Sequence, residues 1–438
     1  MRILLVSTYD LGHQPFGLAS PAAWLTARGH DVACSDLCIE AFDPEVVRWA
    51  GLIAFYLPMH TATRLAAQVI DKVRRLNPDA HICCYGLYAP LNESYLRGLG
   101  VETILGGEFE PGLAALAGGR QNIPLISLER LQFEVPLRSS LPPLQKYAAL
   151  RIAGEAKRAG YTEASRGCKH LCRHCPVVPV YRGNFRVVQP EIVLADIRQQ
   201  VAAGAEHITF GDPDFFNGPT HALRIVARLH REFPGLTYDA TIKIEHLLKH
   251  RDLLPHLRDT GCLFVTSAAE SVDDAVLAKL DKGHTRADFI AVAGEFRTLG
   301  LALAPTFIPF TPWTTRESYR ELLALLMDLD LIDHVAPIQL ALRLLVPSGS
   351  RLLELGEIQA VLGDYDEPAL LYRWRHPDAA VDALASEALR IASSRGSRRE
   401  IFGYLWNLVS DRSGGRIYED FDLLPRTVIP YMDEPWFC

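Results

Sequence analysis

The sequence predicts an α/β protein in two halves. A doubly wound, flavodoxin-like parallel sheet comes first, then a partial (β/α)6 TIM-like barrel and a helical C-terminal segment. Three observations predict this. Short apolar runs of strand length alternate with helical stretches from residue 1 to about 118. The alternation lapses in a proline-bearing stretch and resumes from Tyr161 to about Ser350. Strands separated by helices imply parallel pairing, because a parallel crossover needs a helix-length connection.

In the front segment, 1–118, the strand-like runs are Arg2–Ser7, Asp31–Cys34, Leu52–Tyr56, His81–Tyr85 and Glu102–Leu105. Helical stretches lie near Pro21–Ala27, Thr61–Leu76 and Leu91–Leu99, punctuated by Gly29, Gly86 and Gly100. Ligands of such sheets bind at the carboxyl ends of the strands. The loops expected there carry Asp10, His13 and Gly17, then Leu57-Pro-Met-His60, Tyr85–Pro90 and Gly106-Gly-Glu-Phe-Glu110. Residues 119–160, with Pro124, Pro136, Pro142 and Pro143, read as a linker across the barrel mouth. In 161–350 the strand-like runs are Tyr161–Ser165, His207–Phe210, Thr237–Ile242, Cys262–Thr266, Leu303–Ile308 and Val335–Leu342. Active groups of such barrels sit at the strand C-termini. Residues 351–438 read as helical, notably Asp378–Ser394 and Glu400–Ser410.

The chain of 438 residues is 49% hydrophobic and 22% charged, an ordinary globular composition. A net charge of -7 and a pI near 6.1 argue against a nucleic-acid binder driven by phosphate contacts. The opening apolar run is too short for a signal peptide, and no run long enough to span a membrane follows. A cytoplasmic setting is expected. Thiols stay reduced there, so the nine cysteines read as ligands, packing or redox groups.

Cys168, Cys172 and Cys175 stand in Ser165-Arg-Gly-Cys-Lys-His-Leu-Cys-Arg-His-Cys-Pro176, spaced Cys-x3-Cys-x2-Cys. Three thiolates hold three irons of a [4Fe–4S] cube and leave the fourth iron open, which makes a reactive site. The competing reading is structural zinc, with His170 or His174 completing a Cys3His tetrahedron, although no second Cys-x2-Cys exists. Cys34, Cys38, Cys83, Cys84 and Cys262 read as packing residues.

The spacing resembles the signature of the radical S-adenosylmethionine (SAM) superfamily. That resemblance implies that the open iron chelates SAM, and that an injected electron breaks its carbon–sulfur bond to give a 5′-deoxyadenosyl radical. His174 would stand where those enzymes place an aromatic ring against the adenine. Gly211-Asp212-Pro213 would present main-chain carbonyls to the SAM ammonium, and Lys243 and Glu245 would engage the carboxylate or ribose. Glu270 and Ser271, with the later Lys282-Gly-His-Thr285, resemble the ribose-binding stretch of barrels that follow a cobalamin-type domain. Trp313 is a candidate cover for adenine or substrate. Turn and helix-capping roles compete with each of these readings.

Segment 1–118 resembles the cobalamin-binding domain of one radical SAM class. The cobalt-ligating pattern Asp-x-His-x-x-Gly is absent, since Asp10, His13 and Gly17 are spaced one residue too widely in each interval. Cobalamin binding and a cofactor-free fold are the two alternatives, and local hydrogen bonding is the competing role for His13 and His60. The opening Leu5–Pro21, the run Leu57–Thr63 and the ending Trp436-Phe-Cys438 resemble a radical SAM family closing with Cys-Cys or Cys-selenocysteine and Ala-Glu-Pro. That resemblance implies a missing selenocysteine tail and a redox role for Cys438; a genuine end at a thiol is the alternative. The expected activity is radical SAM catalysis on a small or peptidyl substrate, with methyl transfer if cobalamin binds. The electron donor expected is a flavodoxin or ferredoxin. A non-catalytic metal- or corrinoid-binding redox sensor is the rival.

Overall fold

A computed structural model describes residues 1–152, 154–410 and 430–433. Its front sheet has six parallel strands: β1 (Arg2–Ser7), β2 (Asp31–Asp36), β3 (Leu52–Tyr56), β4 (His81–Tyr85), β5 (Thr103–Gly107) and β6 (Ile126–Ser127). They are ordered β2-β1-β3-β4-β5-β6. Every residue of β3, Leu-Ile-Ala-Phe-Tyr, is buried, as a central parallel strand covered on both faces requires. The side chains alternate between two cores. Leu4, Val6, Ile53 and Phe55 enter one face, while Ile3, Leu5, Leu52 and Ala54 enter the other. Strand order reverses between β1 and β3, so the crevice outside their carboxyl ends is the expected ligand position.

The second sheet has seven strands. β7 (Ala149–Ile152) and β8 (Glu155–Thr162) form an antiparallel hairpin. β9 (Ser165–Gly167) pairs with β10 (Phe185–Val187) beside the main sheet. β11 (His207–Phe210), β12 (Thr237–Thr241), β13 (Cys262–Glu270) and β14 (Ala302–Phe307) continue parallel to β8 as a half-barrel. The first barrel strand therefore begins inside the stretch read as linker. The run Val335–Leu342 is not a strand: 3-10 turns occupy Ile332–His334 and Pro337–Leu340, and Arg343 alone bridges Phe310. Pro337 has no N–H to give a ladder, which explains the break.

The C-terminal segment carries the two expected helices, Ala379–Ala392 and Arg398–Val409, each capped by a side chain, Asp378 and Ser397. It also holds a hairpin, β15 (Leu362–Asp366) with β16 (Leu371–Trp374). A final strand, β17 (Tyr431–Met432), adds antiparallel to β7. Among the described residues no helix is long and apolar enough to cross a membrane.

Arg138 fastens the connector to both halves. Its guanidinium donates to both Asp196 oxygens at 2.8 Å, to the Tyr161 carbonyl at 2.6 Å and to the Gln14 carbonyl at 3.1 Å. Both partners of the ion pair are buried. Removing one member of a buried pair leaves an uncompensated charge. Asp196→Ala is therefore expected to cost about 3–5 kcal/mol. Glu191→Ala, which breaks an exposed pair with Arg228, should leave the urea midpoint in place. Equilibrium unfolding of the two variants checks the contrast.

Candidate active site

The cysteine loop leaves the end of β8 and is held from below by Asp212. The N–H of Ala164 donates to Asp212 Oδ1 at 2.8 Å, and the Ser165 hydroxyl donates to Oδ2 at 2.5 Å. Burial nevertheless pushes the Asp212 carboxyl up to about 7. Its side chain is spent on the turn, and only the neighbours Gly211 and Pro213 line the cavity described below. The β9–β10 pairing closes the loop, and the helix Val177–Tyr181 packs Cys168 and Cys175 against Leu87 and Leu91 of the front domain.

Cys172 is buried, and Cys168 and Cys175 are half-buried. The His170 N–H and the Asn217 side chain hydrogen-bond Cys168, and the Val177 N–H bonds Cys175. Burial pushes the Cys175 thiol up to about 12 and raises Cys168 as well. Three sulfurs in one loop, two of them met by hydrogen-bond donors, fit an iron–sulfur cluster, whose potential such bonds tune. The imidazoles that a Cys3His zinc site would use are engaged elsewhere. His174 Nε2 lies 3.1 Å from Glu270 Oε1, and His170 faces Lys243 and His246. None of the eight described cysteines is in a disulfide, and Cys83, Cys84 and Cys262 are buried on strands as packing residues. Cys438 lies outside the described residues.

The barrel loops converge around these thiols. Lys243 donates to Glu245 Oε2 at 2.9 Å and approaches His170 Nδ1 at 3.0 Å. Glu270 ends β13 with φ +66°, a left-handed conformation unusual for a residue with a Cβ, at a register shift in the strand pairing. Such local strain gathers at functional sites. Burial works against the Glu270 carboxylate, but Lys282 at 3.4 Å and His174 outweigh it and pull its pKa down to about 2. The Ser271 hydroxyl accepts from the Asp273 N–H at the entry to the helix Asp274–Leu280. Within Lys282–Thr285 the two readings divide: Lys282 pairs with Glu270, while Thr285 caps the helix Arg286–Leu299. Trp313 donates to Glu357 at 2.5 Å and packs with Val276 and Leu280 of the helix that precedes Lys282.

A cavity of about 430 Å³ lies between the strand ends of the two halves. The front domain contributes Asp10, His13, Met59, Gly86, Gly107 and Phe109, and the barrel contributes Tyr161, Glu163, Gly211, Asp239 and Thr306. Arg398, Tyr431 and Met432 close one side. His13 stacks on Tyr161 at 4.7 Å, and burial lowers its pKa to about 4, so it is a neutral imidazole at pH 7. His60 instead bonds the Ala369 carbonyl at 2.7 Å, which ties the front domain to the turn of the β15–β16 hairpin and is not a local contact. Asp10 is buried with one oxygen lacking a hydrogen-bond partner, and burial with Glu163 and Asp36 nearby raises its pKa well above the usual range.

Arg166 was not singled out from the sequence. It binds Glu163 at 2.6 Å and both oxygens of Glu110 at 2.8 and 3.0 Å, with Glu108 at 3.5 Å. The Gly106–Glu110 loop, read as a cofactor edge, thus gives its two carboxylates to this contact, while Gly107 and Phe109 line the cavity. The available signal was charge: an arginine two residues before Cys168, and two glutamates after an apolar strand.

Gly211 is required by close approach. A Cβ there would stand 1.8 Å from the Tyr161 hydroxyl. Gly211→Ala is expected to destabilise by about 1–3 kcal/mol through overpacking, and part of the loss should return in the double variant with Tyr161→Ala. Urea midpoints of both singles and the double measure that coupling.

Residues 162–326 match the family model described as "Radical SAM superfamily". The tRNA-2-methylthio-N(6)-dimethylallyladenosine synthase of Desulfosudis oleivorans is 31% identical over 186 residues, covering 40% of this chain and 38% of that protein. The chain thus spans well under half the length of that relative. The hopanoid C-3 methylase of Methylococcus capsulatus is 24% identical over 76% of this chain and 68% of its own length. Among solved structures, the cobalamin-dependent SAM radical enzyme OxsB with aqua-cobalamin bound superimposes with a TM-score of 0.66. It is 14% identical and covers 88% of this chain and 66% of that one. Over residues 162–326 the chain is thus similar to the Radical SAM superfamily, and its two-part α/β fold resembles that of OxsB.

Proposed function

We propose that this protein is a radical SAM methyltransferase acting on a small or peptidyl substrate held between the front domain and the half-barrel. One observation carries the reading: the cavity is walled on one side by the strand ends of the front sheet and on the other by those of the barrel, beside the cysteine loop. In both sheet types the strand ends are where ligands and chemistry are placed.

Cys168, Cys172 and Cys175 would hold the cluster. Gly211 and Pro213 offer main-chain carbonyls beside the cavity. Lys243 with Glu245, and Glu270 oriented by His174 and Lys282, supply charged groups for the SAM carboxylate and ribose. Held there, a [4Fe–4S] cluster would supply one-electron reduction of SAM, and a corrinoid, if bound, would supply a methyl carrier.

The front-domain edge suits a flat ligand, since Gly86 and Gly107 add no side chain to the wall. His13 is neutral and faces the cavity, so it can meet a metal or a ring. About 430 Å³ lies in the small-ligand range of roughly 300–1,000 Å³. Admitting a corrinoid requires the front-domain loops or the Tyr431–Met432 strand to move outward. A flavodoxin or ferredoxin is the expected electron donor.

Anaerobic reconstitution tests the proposal. Expected are about four irons per chain and 5′-deoxyadenosine with S-adenosylhomocysteine when SAM, reductant and cobalamin are supplied, all abolished by Cys172→Ala. One zinc per chain with no nucleoside formed would overturn it in favour of a redox sensor.

A further inference from the structure

Three side chains from three separate segments meet at the cysteine loop. His170 comes from between Cys168 and Cys172, Asp214 from the turn after β11, and His246 from the helix Ile244–Lys249. His170 Nε2 is 3.3 Å from His246 Nε2 and 3.7 Å from Asp214 Oδ2, and His246 Nδ1 is 2.7 Å from the same oxygen. Among the described residues, this is the one group of three His, Cys, Asp or Glu side chains whose donor atoms all lie within 4.8 Å of one another.

Two further facts point to a ligand. Asp214 is 1% exposed and His246 5% exposed. Yet Asp214 Oδ2 and His246 Nδ1 make no hydrogen bond, although they approach to 2.7 Å. Buried polar atoms left this way cost about 1–3 kcal/mol each unless something satisfies them. A cation between lone pairs does so. Nitrogen and oxygen ligands of a first-row ion sit about 2.0–2.2 Å from the metal, hence roughly 3 Å from one another. With His246 Nδ1 as its ligand atom, the 2.7 Å and 3.7 Å separations of His246 and His170 from Asp214 Oδ2 bracket that value, and one donor atom from each of the three residues lies within 4.8 Å of the others.

We infer that His170, Asp214 and His246 form a mononuclear site for a divalent first-row transition ion, separate from the three thiols. The donor set is two imidazoles and one carboxylate, which leaves coordination positions open. A supporting carboxylate is already in place: Glu245 Oε2 lies 3.5 Å from His170 Nδ1 and can accept that ring N–H when Nε2 holds the metal. Lys243 then gives up the ring nitrogen and keeps Glu245. Asp214 Oδ1 stays free for the Phe216 N–H it already accepts. An ion here ties the Cys168–Cys172 stretch to the ends of β11 and β12.

The test uses the full chain with its cluster reconstituted, cleared of loose metal and titrated anaerobically with Co2+ alone. Expected is one tightly held cobalt per chain, with a ligand-field absorption band and unchanged iron content. His246→Ala and Asp214→Asn should each weaken cobalt binding at least about 100-fold. Both should retain iron, which shows that they fold; His246→Gln provides a second, closer replacement. No stoichiometric cobalt in the parent chain, or binding that survives both substitutions, would overturn the site and leave a hydrogen-bonded Lys243–His170–His246 chain in its place. Iron content and nucleoside formation are separate readouts, so failure here is distinguishable from failure of the radical SAM reading.

Discussion

The guanidinium of Arg166 joins the two halves of this protein. It is buried, two residues ahead of Cys168, and it meets Glu163 of its own loop and Glu108 and Glu110 of the front domain. Phe16, Phe109 and Phe133 stand around it at 4.7–5.5 Å from their ring centres. A charge cannot be left alone in such a place, so the front domain must dock for the cysteine loop to take this shape. Three carboxylates to one guanidinium is an excess of negative charge. Burial relieves part of it by pushing the Glu108 carboxyl up to about 7, with Tyr181 donating to its other oxygen at 3.1 Å. The contact therefore sets the register between the front sheet and the site.

The cavity follows from that docking. Its walls are the ends of two parallel sheets facing each other, an arrangement neither sheet produces alone. Aromatic rings, Tyr161 with His13 and Tyr56 with Phe109, supply apolar surface, while Asp10, Glu163 and Asp239 supply a few aimed polar groups. The barrel loops carry the charges that the SAM reading requires, and Glu270 shows the competition most clearly. Burial favours its neutral form, and two nearby cations keep it ionised.

Much of this was legible in the sequence because it depended on local pattern. The all-apolar run of β3 and the strand–helix alternation gave the front sheet, and the cysteine spacing after a strand gave the loop. Val335–Leu342 misled because its hydrophobicity outweighed the meaning of Pro337. The β15–β16 hairpin, with Tyr365 and Tyr372 packed 5.0 Å apart across it, was hidden in a segment read as helical. The alternation in Leu371-Tyr-Arg-Trp was the available sign. Partners distant in the chain were not legible. Nothing near Arg166 names Glu110, 56 residues away, and a turn motif does not say that Asp212 points inward. His170 and His246 meet only through the fold.

The central claim is that three thiols hold a cluster with one iron reserved for SAM. Electron paramagnetic resonance of the anaerobically reduced protein, recorded with and without SAM labelled with nitrogen-15 at its amino group, tests this most directly. The account predicts a cluster signal that changes on adding SAM and shows coupling to the labelled nitrogen. A signal indifferent to SAM, or no cluster signal from a folded and fully iron-loaded chain, would contradict it.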